Sequence, residues 1–168
     1  PTAIASAGNV IGGGDVCAER LMVDLVDAFS RGLPVRLRYP AAVRPWQHVL
    51  DCLHGYLELA DALLRGEAAG EAFNFGPGTE SFVTVGAVAS AVAALWGPEC
   101  VVELDDEVHP EEAELLALDS RKAELQLGWR DLVGFDDAVS WTVDWERQVR
   151  AGADATDVTV AQLRAFAA

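Results

Sequence analysis

Four of the eight residues from Gly8 to Asp15 are glycine, and they follow directly on the apolar run Thr2 to Ala7. A strand that empties into such a loop lets backbone approach a ligand closely, because glycine carries no side chain to hold it off. After the loop, Leu21, Met22, Leu25, Val26 and Phe29 recur at helical spacing, and Gly32 and Pro34 close that helix. Strand, glycine loop and helix in that order commit the start of the chain to an α/β arrangement.

The remainder keeps the alternation. Val35-Arg36-Leu37-Arg38-Tyr39 alternates apolar and basic, the pattern of a strand with one wet face. Asp51 is expected to cap a helix carrying Leu53, Leu57, Ala60 and Leu64, with Gly66 at its C-terminal end. Ala72 to Phe75 reads as a strand turning at Gly76-Pro77-Gly78. Thr84 caps a helix with Val85, Val88, Val92 and Leu95 inward, stopped by Gly97-Pro98. Val101 to Leu104 and Leu115 to Leu118 read as short strands. Ser120 caps a helix that ends at Gly128, and Asp136 or Asp137 opens another that runs to Arg150. A last helix is expected after Thr159, beyond a linker at residues 151–157. The expected sheet is partly parallel, with few strands for its helices, so some apolar helix faces lack cover. Because Pro1 leads straight into a strand, the chain reads as part of a larger protein.

Charge removes several partners. With 27 acidic against 12 basic residues the formal charge is −15, which repels nucleic acid and anionic lipid at long range. A phosphate-bearing ligand must then be held by locally placed arginines and backbone N–H groups. No apolar run approaches the roughly 20 residues of a membrane span, and no signal peptide is expected. Cys17, Cys52 and Cys100 form no CxxC pair and read as reduced thiols of a cytoplasmic protein.

Most catalytic motifs are absent. The Gly8 to Gly14 cluster does not match GxGxxG, since position 17 is Cys. The only lysine, Lys122, has Leu118 four positions before it, so no Tyr-x-x-x-Lys pair exists. There is no P-loop, no GxSxG and no HExxH. His48, His54 and His109 are not spaced as metal ligands. The runs Asp105-Asp106-Glu107 and Glu111-Glu112 read as solvated faces. No catalytic residue, no cofactor-binding residue and no metal ligand is assigned.

Several motifs recur in a familiar order. They are Gly8-Asn9-Val10-Ile11-Gly12-Gly13-Gly14-Asp15, Arg44-Pro45-Trp46-Gln47-His48-Val49, Phe73-Asn74-Phe75-Gly76, Leu118-Asp119-Ser120-Arg121-Lys122-Ala123, Leu127-Gly128-Trp129 and Trp141-Thr142-Val143-Asp144-Trp145. Together they resemble the C-terminal half of extended short-chain dehydrogenases of the NAD-dependent epimerase/dehydratase family. The glycine loop and the Arg-Pro-Trp-Gln-His-Val run tilt the resemblance to the CDP-glucose 4,6-dehydratases.

The resemblance implies the last Rossmann strands plus a small α/β substrate-binding domain over residues 1–150, with residues 151–168 as a tail. It implies that Asn9, Arg44 and Asn74 bind the sugar nucleotide, with Arg44 on the pyrophosphate, where a guanidinium offers paired donors. NAD is the cofactor of the complete family enzyme, which converts CDP-glucose to CDP-4-keto-6-deoxyglucose. A nucleotide sugar is thus the expected partner, nucleic acid and membrane are not, and a homo-oligomer is compatible. This chain alone is not expected to be catalytic. Three other readings stay open: a sugar-nucleotide epimerase portion, a non-catalytic binding module and a decayed fragment. Ser6 and Val16 depart from the family's usual Arg and Trp, and Glu111 and Glu114 stand where it tends to show His.

Overall fold

Short extended runs and amphipathic helices alternate through the computed structural model, which describes residues 1–107 and 109–168. The strands are β1 (Ile4–Ala7), β2 (Asn9–Ile11), β3 (Val35–Leu37), β4 (Val43–His48), β5 (Ala72–Phe75), β6 (Phe82–Thr84) and β7 (Val102–Leu104). The helices are α1 (Leu21–Ser30), α2 (Val49–Leu64), α3 (Val85–Trp96), α4 (Arg121–Leu127), α5 (Phe135–Arg150) and α6 (Ala155–Phe166). The strands form three small sheets: β1 parallel to β5, β3 parallel to β7, and β4 between parallel β2 and antiparallel β6. The mixed α/β class with parallel pairing is therefore as expected.

Two clusters hold these pieces. The larger joins Leu25, Val26 and Phe29 of α1 to Val88 and Val92 of α3 and to Val139 and Val143 of α5, under Val35, Leu37 and Trp46. The smaller gathers Phe73, Phe75, Leu59, Ala123 and Trp129. Burial of side chains this large, at roughly 1.5–3 kcal/mol each, is the main force on both. Asp51 ties one cluster's helix to the approach of α5. Its carboxylate accepts the N–H groups of Leu132 (2.8 Å) and Val133 (3.1 Å), and its carbonyl accepts Trp129 Nε1 (3.1 Å). Burial pushes this carboxyl's pKa up, against the two N–H groups that pull it down.

Several sequence expectations need correction. The stretch read as a glycine loop contains β2, because Asn9 to Ile11 pair with Trp46 to His48. Helix α2 begins at Val49 and is capped by His48, whose Nδ1 accepts the Leu50 N–H at 3.3 Å; Asp51 lies inside the first turn. Of its apolar residues, Leu53, Leu57 and Leu64 are exposed, while Leu50, Gly55, Leu59 and Ala62 are buried. Leu95 is likewise exposed at the end of α3, although Thr84 caps that helix as expected, through the Ala87 N–H at 3.1 Å.

Leu115 to Leu118 is no strand and makes only a single bridge, Leu115 to Val43. Ser120 precedes α4 without capping it, since its Oγ is taken by the N–H and carbonyl of Gly76. Helix α5 starts after Gly134, with Asp136 and Asp137 in its first turn, where carboxylates complement the helix dipole. The final helix starts at Ala155, capped by Asp154, and packs on α5 through Trp145 Nε1 to Thr159 Oγ1 (2.9 Å). Among the described residues no helix is long and apolar enough to cross a membrane.

Candidate functional site

Strand β4 positions the site, and it can do so because its two faces do different work. Gln47 turns to one side and donates its Nε2 to the Phe75 carbonyl at 2.9 Å, joining β4 to β5. Arg44 and Trp46 turn to the other side and line a cavity of about 430 Å³. Trp46 is fixed by its Nε1 donating to the Val83 carbonyl of β6 at 3.0 Å. Arg44 is buried, 7% exposed, with one nitrogen donating to the Val43 carbonyl at 2.8 Å and another paired with the Glu112 carboxylate. A guanidinium this buried keeps its charge and needs an anionic partner; Glu112 is that partner here.

Asn9 reaches the same cavity because β2 lies in register with β4, Asn9 opposite Trp46. Arg36 of β3 and Arg38 just beyond it line the wall, with Tyr39, whose hydroxyl donates to the Pro110 carbonyl. The cavity holds four arginines (20, 36, 38 and 44) against four carboxylates (Asp15, Glu19, Asp24 and Glu112), in a chain whose formal charge is −15. This local balance makes the cavity one place where an anion can approach so acidic a surface. Burial raises the Asp24 pKa, offset in part by the Arg38 charge.

Of the three residues singled out in sequence, the structure brings Asn9 and Arg44 together and sets Asn74 elsewhere. Asn74 lies on β5, outside the cavity lining, and its Nδ2 donates to the Asp119 carbonyl at 3.3 Å. The Asp119 carboxyl is itself held down to about 2 by the Arg121 guanidinium. Glu112, rather than Glu111 or Glu114, lines the cavity. Arg36 and Arg38 were missed as site residues, although three arginines within nine positions (36, 38, 44) of a lysine-poor, acidic chain are a readable signal.

The glycines do something other than cradle a ligand. A Cβ on Gly13 would fall inside the Trp145 indole, one on Gly12 would strike Val49, and one on Gly8 would meet Pro45 at 2.9 Å. They let α5, α2 and β4 approach, and Gly14 donates its N–H to Glu146 at 2.8 Å. With Trp145 already in that space, the loop does not fit the pyrophosphate of a dinucleotide. Among the described residues there is no group of three or more His, Cys, Asp or Glu placed to hold a metal ion.

No family model matches the chain. It is 41% identical over 149 residues to a CDP-glucose 4,6-dehydratase of Salmonella typhimurium, covering 88% of this chain and 42% of that protein. Its fold matches the UDP-glucuronic acid 4-epimerase of Bacillus cereus, solved with UDP-glucuronic acid and NAD, at a TM-score of 0.77 and 18% identity over 89% of this chain and 46% of that one. A dTDP-glucose 4,6-dehydratase of Bacillus anthracis, solved with NAD, gives a TM-score of 0.69 and 22% identity over 90% of this chain and 46% of that one.

The chain thus matches the fold of the C-terminal portion of the extended short-chain dehydrogenases of the NAD-dependent epimerase/dehydratase family. Within that family its sequence is similar to CDP-glucose 4,6-dehydratase, and it spans less than half the length of the relatives it matches.

Proposed function

We propose that this chain is the sugar-nucleotide grip of a 4,6-dehydratase acting on CDP-glucose, with the β4 cavity as the binding site. In this reading Arg44, aided by Arg36 and Arg38, takes the diphosphate, and Asn9 contacts the sugar. Asn74 is kept as a further contact, reached only if its bond to Asp119 is exchanged for one to ligand. The observation that carries the reading is a buried arginine lining a 430 Å³ cavity beside three more arginines. A binding module without catalysis is the second reading, and the engagement of the lone lysine favours it for the isolated chain. Lys122 donates to Glu71 (2.7 Å) and to the Ala72 carbonyl (2.9 Å) and sits over the Phe73 ring, so it serves structure. Proton and hydride transfer, and NAD with them, would come from a complementary portion of the enzyme. The role of this chain is then to hold the sugar in register with groups it does not own.

Titration calorimetry with CDP-glucose tests the site. Loss of a charge-assisted contact of about 1.5–3 kcal/mol should weaken binding by roughly 10- to 150-fold in Arg44→Ala, with circular dichroism checking that the variant folds. Equal affinity for both proteins would overturn the role of Arg44. Weaker CDP-glucose than UDP-glucose binding would move the reading to an epimerase.

A further inference from the structure

A carboxylate in a cavity meant for an anion costs affinity, unless the ligand brings it a hydrogen-bond donor. Four carboxylates line the β4 cavity, and two of them are already committed. Glu112 pairs with Arg44, while Asp15 lies 3.7 Å from Arg20 and accepts the Cys17 N–H at 2.9 Å. Among the described residues, the side chains of Glu19 and Asp24 make no hydrogen bond and no ion pair. Glu19 sits exposed in the turn ahead of α1, its backbone in the left-handed region at φ 65°. Asp24 stands on the first turn of α1, and the charge of Arg38 lowers its pKa against the burial that raises it. A first-turn carboxylate complements the helix dipole wherever it lies. That role needs no cavity, and Asp24 lines one.

The surroundings of Asp24 select the donor. Helix α1 packs on β3, so Leu21 and Met22 of one and Val35 and Leu37 of the other bring apolar surface to the cavity beside it. Sugar hydroxyls gain little from such a wall. A nucleobase suits it, with two apolar faces and a polar edge for one placed polar group. Position agrees with chemistry. Arg44 and the Asn9–Trp46 pair set diphosphate and sugar in order along β4. Tyr39, just past β3, and Arg44 reach the same segment, at Pro110 and Glu112. The end of β3 therefore meets the diphosphate end of the cavity, and a nucleoside leaving it away from Asn9 runs along α1 and β3.

We propose that Asp24 selects the base of the nucleotide, its carboxylate accepting a hydrogen bond from the exocyclic amino group of cytosine. Uracil carries a carbonyl oxygen at that position, which the same carboxylate repels. The inference rests on the sugar-nucleotide reading of the β4 cavity and adds discrimination between bases. Arg44 cannot supply it, because every nucleoside diphosphate carries the same phosphates.

Calorimetry with CDP and with UDP, both without sugar, tests the proposal. The unmodified chain is expected to bind CDP at least about tenfold tighter than UDP. In Asp24→Asn the amide can turn to offer an acceptor or a donor, so the ratio should fall to within about threefold as UDP binding improves. Glu19→Gln should keep the original ratio, and Arg44→Ala should weaken both nucleotides by a similar factor. Equal binding of CDP and UDP by the unmodified chain, with both weakened in Arg44→Ala, overturns the inference and leaves the diphosphate grip standing. An undiminished preference in Asp24→Asn, with the fold checked by circular dichroism, overturns it as well, and so does a preference lost only in Glu19→Gln. Binding of neither nucleotide overturns the inference together with the reading beneath it.

Discussion

Acid should find a weak point at His48. Its Nδ1 accepts the Leu50 N–H, so the ring caps α2 only while that nitrogen lacks a proton. Its Nε2 is buried without a partner among the described residues, and the ring stands edge-on to Trp141. Protonation would break the cap and place a charge in an apolar site. Burial accordingly lowers its pKa from 6.5 to about 4. In that interval the unfolded chain takes up a proton that the native chain refuses, so stability falls as pH falls. The loss is complete near pH 4 and absent above about 6.5, and its size is roughly 3 kcal/mol. Asp51 works in the opposite sense, since a carboxyl whose pKa is raised favours the native state as it protonates. Comparing a His48 variant with the unmodified chain cancels that contribution. His48→Asn retains a side chain able to cap and removes the titration. Urea unfolding followed by circular dichroism at neutral pH and near pH 4 should show the variant less stable at neutral pH but with an acid loss smaller by about 3 kcal/mol. The same acid loss in both proteins would refute the assignment.

Three further outcomes are expected. Asp51→Ala strands the Leu132 and Val133 N–H groups and should cost about 2–5 kcal/mol in urea unfolding, with Asp51→Asn intermediate; an unchanged Asp51→Ala would show that the loop re-pairs. Gly55→Ala gains about 1 kcal/mol of helix propensity but loses about 1–3 by overlap with the Phe75 ring, so Tm should drop by a few degrees, and a raised Tm would mean the ring yields freely. Glu112→Gln frees Arg44 of a carboxylate that is half exposed, so calorimetry should find CDP-glucose bound about two- to fivefold tighter; equal binding would show that ligand and Glu112 do not compete.

Local chemistry was legible where it acts within a few residues. Thr84 opens its helix and Gly128 closes its own as spacing predicts, and the alternation of Val35 to Leu37 is realised as buried, exposed, buried. What acts over long separations was not. Gly13 exists for Trp145 and Ser120 for Gly76, partners that no window of sequence contains. Helix α2 is apolar on two sides, and periodicity alone does not say which side the chain itself covers. Arg44 was readable from its motif, whereas Arg36 and Arg38 join it only because β3 borders the same cavity.

Strand β4 has a consequence for how such a sequence can vary. Arg44 and Trp46 serve the cavity while Gln47, between Trp46 and His48, serves the Phe75 backbone, and both neighbouring strands read the same register. Gain or loss of one residue between Val43 and His48 would exchange the two faces, turning Gln47 into the cavity and Arg44 out of it. Lineages descended from this sequence can therefore change letters in β4 but not its length.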